Sequence, residues 1–281
     1  MYNEDFYTNK DIKDIKIALL SDIHYSPNYN LKIFEKLTTQ IKNNIPNYIC
    51  ILGDILDNAN YKILDPLTNW LKELSNIAPL IIIYGNHDTK KGYIHHWQEE
   101  QNSYLRNILK QMNNVHFLED QTWLDNNILF YGYNPSFTHY EIDNEKYDSF
   151  INEMNKTHCP FTKETYNILL FHSPTNIYKY IQTTNTNFNN TDIILSGHTH
   201  NGCIPFFITR FFNKTFKTTR SLINPNRKFF HKYCQGKVYE KPEGYIYQGI
   251  TKFSRSTKIF KIFDLFYSKK VQFITIKKIA E

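Results

Sequence analysis

Five short apolar runs in this 281-residue chain each end in residues that can bind a metal or move a proton. Ile17–Leu20 leads into Ser21, Asp22, Ile23 and His24. Tyr48–Leu52 leads into Gly53, Asp54, Ile55, Leu56 and Asp57. Leu80–Tyr84 leads into Gly85, Asn86, His87 and Asp88. Asn167–Phe171 leads into His172, and Asp192–Ser196 into Gly197, His198, Thr199 and His200. Imidazole suits Zn, Fe, Ni and Cu, whereas carboxylate and amide oxygens suit Mg, Mn and Ca. Brought side by side, the five ends would pool Asp22, His24, Asp54, Asn86, His172, His198 and His200 in one cavity. Seven nitrogen and oxygen donors exceed the four that one tetrahedral ion takes. They fit two ions sharing a bridging carboxylate. Ions about 3.5–4 Å apart clamp the attacking and leaving oxygens of a phosphoryl group, a recurring hydrolase design.

The elements that must position these residues read as an α/β layered fold. Strands are expected at 15–20, 48–52, 80–84, 167–171 and 192–195, and helices at 31–43, 63–74, 103–112, 147–154 and 176–182. Ligands of open α/β sheets collect beyond the carboxyl ends of the strands, which is where the candidate donors fall. Residues 115–118, 122–124 and 128–131 read as three short strands of a meander, and the tail adds strands at 244–247 and 271–276. The expected organisation is a polar N-terminal extension over 1–14, then a single domain over 15–281. Residues 204–239 read as a basic, aromatic insert or cap.

The ordered set D-x-H, G-D-x-x-D, G-N-H-D, H and G-H-x-H resembles the calcineurin-like metallophosphoesterases from about Ile15 to about Ile276. The resemblance implies a four-layer α/β/β/α sandwich with mixed sheets around a dinuclear metal centre. By position Asp22, His24 and His200 match the ligands of the first ion. Asn86, His172 and His198 match those of the second, and Asp54 matches the bridge. The implied reaction is hydrolysis of a phosphodiester, phosphomonoester or pyrophosphate bond by a hydroxide held between the ions. His87 matches the histidine that protonates the leaving oxygen or binds the phosphate, and Asp57 the carboxylate that orients it. Two divalent ions are the expected cofactors, Mn²⁺ first, with Fe, Zn or Ni as alternatives. Within the family the chain is most similar to the bacterial YkuE- and YaeI-like branch, through His198-Thr199-His200-Asn201-Gly202, Ile204-Pro205 and Lys232-Tyr233-Cys234-Gln235-Gly236. Asn201 and Cys203 depart from that branch's Gly and Gln.

Composition excludes other classes. Hydrophobic residues at 41% and charged residues at 21% suit a folded globular chain rather than a disordered one. No uncharged apolar run approaches the roughly 20 residues of a membrane-spanning helix. The polar, acidic start reads as neither signal nor transit peptide. Four widely spaced cysteines, without a C-x-x-C pair, argue against a disulfide framework and fit a reducing compartment. The expected location is therefore cytoplasmic, with peripheral contact at the inner membrane face.

The net charge of +6 has an address, because residues 204–239 hold eight Lys or Arg and no acid. Phe207, Arg210, Phe211, Lys214, Arg220, Arg227 and Lys228 form a candidate substrate or membrane patch there. Its plain reading is aromatics packed on the core and charges in water. The functional readings are an anionic lipid surface, a lid for a partly apolar phosphorylated substrate, or a nucleic-acid groove. Paired Phe-Phe steps favour lipid over nucleic acid. The expected partner is thus a phosphorylated small molecule or lipid. A nuclease of the same superfamily and a catalytically silent metal-binding scaffold stand as alternatives. Histidines outside the motifs (95, 96, 116, 139, 158 and 231) are expected to be solvated, and Tyr133-Asn134-Pro135 to be a plain turn.

Overall fold

The structure is a computed structural model, and it describes residues 3–26, 28–57, 63–88, 96–136, 139–140, 144–183, 188–200, 233–250 and 269–279, with 211 and 215. Two six-stranded mixed sheets lie face to face. The first has the order β1 (Asn3–Thr8), β12 (Gln272–Lys278), β2 (Ile15–Leu20), β3 (Tyr48–Leu52), β4 (Leu80–Ile83) and β5 (Val115–Phe117). Here β2 to β5 run parallel and β12 runs antiparallel to β2. The second has the order β10 (Gly236–Val238), β11 (Glu243–Ile246), β9 (Ile193–Ser196), β8 (Tyr166–Leu170), β7 (Ile128–Gly132) and β6 (Gln121–Asp125).

The alternation of strand residues builds the layers. Phe130, Ile168, Leu170, Ile193, Leu195 and Tyr245 of the second sheet share one core with the first sheet. That core also takes in α1 (Lys32–Asn44), α2 (Asp65–Ser75) and α3 (His96–Gln111). The intervening residues Leu129, Tyr131, Leu169, Phe171, Ile194 and Ile246 share a second core with α4 (Asn144–Lys156) and α5 (Pro174–Thr183). The result is the expected α/β/β/α sandwich. In α1 the i, i+4 positions Ile33, Leu37 and Ile41 are buried. Phe34 stacks on Trp70 of α2 at 4.1 Å, which joins the two helices.

Two local expectations fail. Residues 115–131 form no meander. β5 pairs with β4 in the first sheet, whereas β6 and β7 form a hairpin in the second. The chain changes sheets after Leu118, whose N–H still bonds to Ile82 O at 2.9 Å, and Asp120 with a φ of 53° makes the turn. Residues 3–8 are no extension but β1, an edge strand parallel to β12. Phe6 and Thr8 point inward and are buried, while Tyr7 is exposed, so the strand period was present beneath the polar residues. Lysines hold this segment to the second sheet. Lys10 Nζ lies 2.6 Å from both Asp192 Oδ2 and Thr165 O, and Lys237 Nζ donates to Asp5 O at 2.8 Å.

Candidate metal centre

The loops beyond β2 and β3 stay zipped after the strands end. Asp22 N bonds to Gly53 O at 3.0 Å, His24 N to Asp54 O at 3.0 Å, and Tyr25 N to Ile55 O at 2.8 Å. This holds the two loops in register while their side chains turn inward. Asp22, His24, Asp54, His198 and His200 all have left-handed φ angles, between 44° and 71°. Such backbone costs roughly 1–3 kcal/mol per non-glycine residue and clusters at functional sites. Gly85 is required for space, since a Cβ there would overlap the Asp54 carboxylate.

The five strand ends converge as expected. Asp22, His24, Asp54 and His200 each place one donor atom within 4.8 Å of the others, and so do Asp54, His172 and His198. Asp54 belongs to both groups. Its Oδ2 is 3.5 Å from His24 Nε2 and 3.3 Å from His172 Nε2. His200 Nε2 lies 3.3 Å from Asp22 Oδ1, and Asn86 Oδ1 lies 2.9 Å from His198 Nδ1. At the rim, His87 Nδ1 faces Asp57 Oδ1 at 3.3 Å, and its ring meets that of His24 edge-on at 4.6 Å.

This donor set fits cations. Asp22 Oδ1 and His172 Nε2 are buried without an aligned hydrogen bond, an arrangement that is costly unless an ion completes it. His172 Nδ1 lies 2.5 Å from Leu52 O, which fixes the ring and turns Nε2 toward Asp54. The electrostatics agree. Burial alone would push the Asp54 carboxyl up, but His172, His87 and His24 outweigh it and hold it well below the carboxylate range. Burial alone would lower His172, yet Asp54 raises it to about 9. His87 is raised to about 9 for the same reason, with Asp54 and then Asp57 overcoming desolvation. His198 is lowered to about 3 by burial and by the neighbouring His172. The carboxylates thus demand positive charge and recruit protons to supply it.

Asp88 had no assigned role in the sequence. Its buried carboxylate accepts the N–H groups of Ile55, Leu56 and Gly85, each at 3.0 Å. In return Asp54 Oδ1 accepts the His87 N–H at 2.9 Å. The two loops therefore exchange carboxylates for amides, and the exchange fixes both Asp54 and His87. The G-N-H-D run was the signal, but the partners are backbone groups, which carry no sequence mark. His139 also departs from expectation. It is buried, with Nδ1 2.6 Å from Glu153 Oε2 and Nε2 3.1 Å from Ser149 Oγ. Tyr133 and Asn134 are buried too, and they form no turn; the Asn134 N–H donates to Asp120 Oδ1 at 2.8 Å. His158 is exposed as expected. Cys50 is buried inside β3 as expected. Of the patch only Phe211 is described, and it is 61% exposed; Phe207, Arg210, Lys214, Arg220, Arg227 and Lys228 lie outside the described residues.

Among the described residues no helix is long and apolar enough to cross a membrane. The chain is 26% identical over 205 residues to an uncharacterized metallophosphoesterase of Campylobacter jejuni, a match covering 69% of this chain and 46% of the relative. The match thus spans about half the length of that relative. Among solved structures, a dimetal phosphatase from Danio rerio is similar at a TM-score of 0.44 and 9% identity, with 84% of this chain and 87% of that one covered. The NAD nucleotidase of Haemophilus influenzae is similar at 0.37 and 15%, with 66% and 38% covered. The calcineurin-like phosphoesterase family matches residues 15–202, which take in the five strand ends and every donor of the two groups. The chain belongs to that family.

Proposed function

We propose that this chain hydrolyses a phosphoester by means of two divalent cations. The observation that carries the reading is the pair of donor groups that share Asp54. Asp22, His24 and His200 would hold the first ion, Asn86, His172 and His198 the second, with Asp54 between them. When bound, the ions supply Lewis acidity, which makes water a nucleophile near neutral pH and offsets charge on the phosphoryl oxygens. The remaining work falls to the rim. His87 is 37% exposed and can reach a bound ester, and its Nδ1 is directed at Asp57. That pairing leaves Nε2 as the outward donor and keeps the ring protonated, so it can hand a proton to the departing oxygen. Asp57 holds the ring and stabilises its positive charge.

The substrate class we favour is a phosphorylated small molecule or a lipid-linked phosphate, with Mn²⁺ as the first metal to try. The YkuE- and YaeI-like motifs around His198–Gly202 support the same reading. Contact with an anionic membrane through residues 204–239 is supported by their eight cations and by the exposed Phe211.

The test is hydrolysis of bis(p-nitrophenyl) phosphate and p-nitrophenyl phosphate by metal-stripped protein refilled with Mn²⁺, with Asp54→Asn alongside. Turnover should require both the metal and Asp54. Near-normal turnover by Asp54→Asn, or by the stripped protein, would overturn the reading. Silence toward both esters with two ions bound would leave a highly selective enzyme or the scaffold alternative.

A further inference from the structure

A buried polar cluster packs against His172, and the reaction itself does not use it. Tyr140 is 1% exposed, and its ring meets the His172 imidazole edge-on at 5.8 Å. The Tyr140 carbonyl accepts the Ser173 hydroxyl at 2.9 Å, which ties the tyrosine to the residue that follows His172. The Tyr140 phenol donates to Asn134 Oδ1 at 3.1 Å, which fixes the ring plane. One residue earlier, the His139 carbonyl accepts from Asn176 Nδ2 at 2.5 Å, and the His139 ring is held by Glu153 of α4. Two helices thus anchor His139, and through it the Tyr140 segment whose ring meets His172.

A packing role alone would ask only for an apolar side chain at position 140. This one is instead anchored at both its carbonyl and its phenol, by groups that are themselves buried. An imidazole that ligates a metal must keep its lone pair on the ion, so rigid neighbours matter to it more than to a filler side chain.

We propose that Tyr140 is a positioning residue, one that holds the His172 imidazole in the orientation that ligates the second ion. The proposal rests on the reading of His172 as a ligand of that ion.

The experiment is a calorimetric titration of metal-stripped protein with Mn²⁺. Wild type should take up two ions. Tyr140→Leu, which removes the ring edge and the phenol, should weaken one step by about 10–100-fold, the usual effect of losing a group that orients a ligand. The other step should stay within about twofold, as expected for a site the substitution does not touch. Tyr140→Phe keeps the ring edge but loses the phenol's hold on Asn134, and should weaken the same step by less than Tyr140→Leu. In a His198→Ala background, which removes the second ion, Tyr140→Leu should leave the remaining affinity unchanged. Ser173→Ala removes one hydroxyl only and should weaken the same step as Tyr140→Leu. Both steps at wild-type affinity in Tyr140→Leu, or equal loss of both, would overturn the proposal. Should Tyr140→Leu not fold, unchanged affinities in Ser173→Ala would overturn it instead. Fewer than two ions in the wild type would sink the two-ion reading on which it stands.

Discussion

In the proposed reaction His87 is the acid, partly in solvent and backed by Asp57. Its replacement should therefore separate substrates by their leaving groups. His87→Ala should slow hydrolysis of alkyl phosphate esters by about 10²–10⁴, the usual contribution of a positioned acid. Nitrophenyl esters, whose leaving group needs little protonation, should lose far less. Rates of the two ester classes with the same enzyme preparation decide it, and equal losses would remove His87 from the acid's role. At this scale the grouping was legible in the sequence. Each of the nine residues follows an apolar run, and the structure brings all nine to one end of the sheets, while their roles stay part of the proposal. What it hid were residues whose partners are amides or distant side chains. Asp88 bonds three backbone N–H groups, and His139 meets Glu153 on α4, a partner 14 residues on that no motif marks.

Among the elements, β1 is the least expected and the easiest to test. Phe6 faces inward at 1% exposed, while its neighbour Tyr7 is 59% exposed. Phe6→Ala should cost about 3 kcal/mol, in the range for a buried phenylalanine. Tyr7→Ala should stay within about 0.5 kcal/mol, as for most surface changes. Urea unfolding followed by circular dichroism measures both, and equal costs would mean that β1 does not pack as described. Short strands were recognised well by their apolar runs, but their partners were not. β5 and β6 are a few residues apart and belong to different sheets. Nothing in a three-residue strand says which open edge it will join; that is decided by the free edge of β4 and by the turn at Asp120. β1 was missed because its partner β12 lies some 270 residues away in sequence.

At the scale of the whole molecule, the candidate ions would tie together loops from both sheets. Asp22, Asp54 and Asn86 come from the first sheet, and His172, His198 and His200 from the second. Metal binding should therefore stabilise the sandwich as a unit. At Mn²⁺ a hundred times above the dissociation constant, the linkage amounts to about 2.7 kcal/mol per site. For a chain of this size, that should raise the melting temperature by roughly 5–10 °C for each site filled. Scanning calorimetry of stripped and refilled protein reads the shift, and Asp54→Asn should abolish most of it. A refilled protein that melts with the stripped one would show that the ions do not join the sheets.

The place of β12 between β1 and β2 has a consequence for how the chain is made. During synthesis β2 emerges early, but its neighbour on that side appears only after the second sheet has been produced. Until then the flank of β2 stays open, and β1 has nothing to pair with. Contacts of such long sequence separation form slowly, and an open strand edge invites other chains. The nascent protein therefore passes through a long interval in which its second sheet can be complete and its first cannot, and holdase chaperones would find their target on the exposed side of β2.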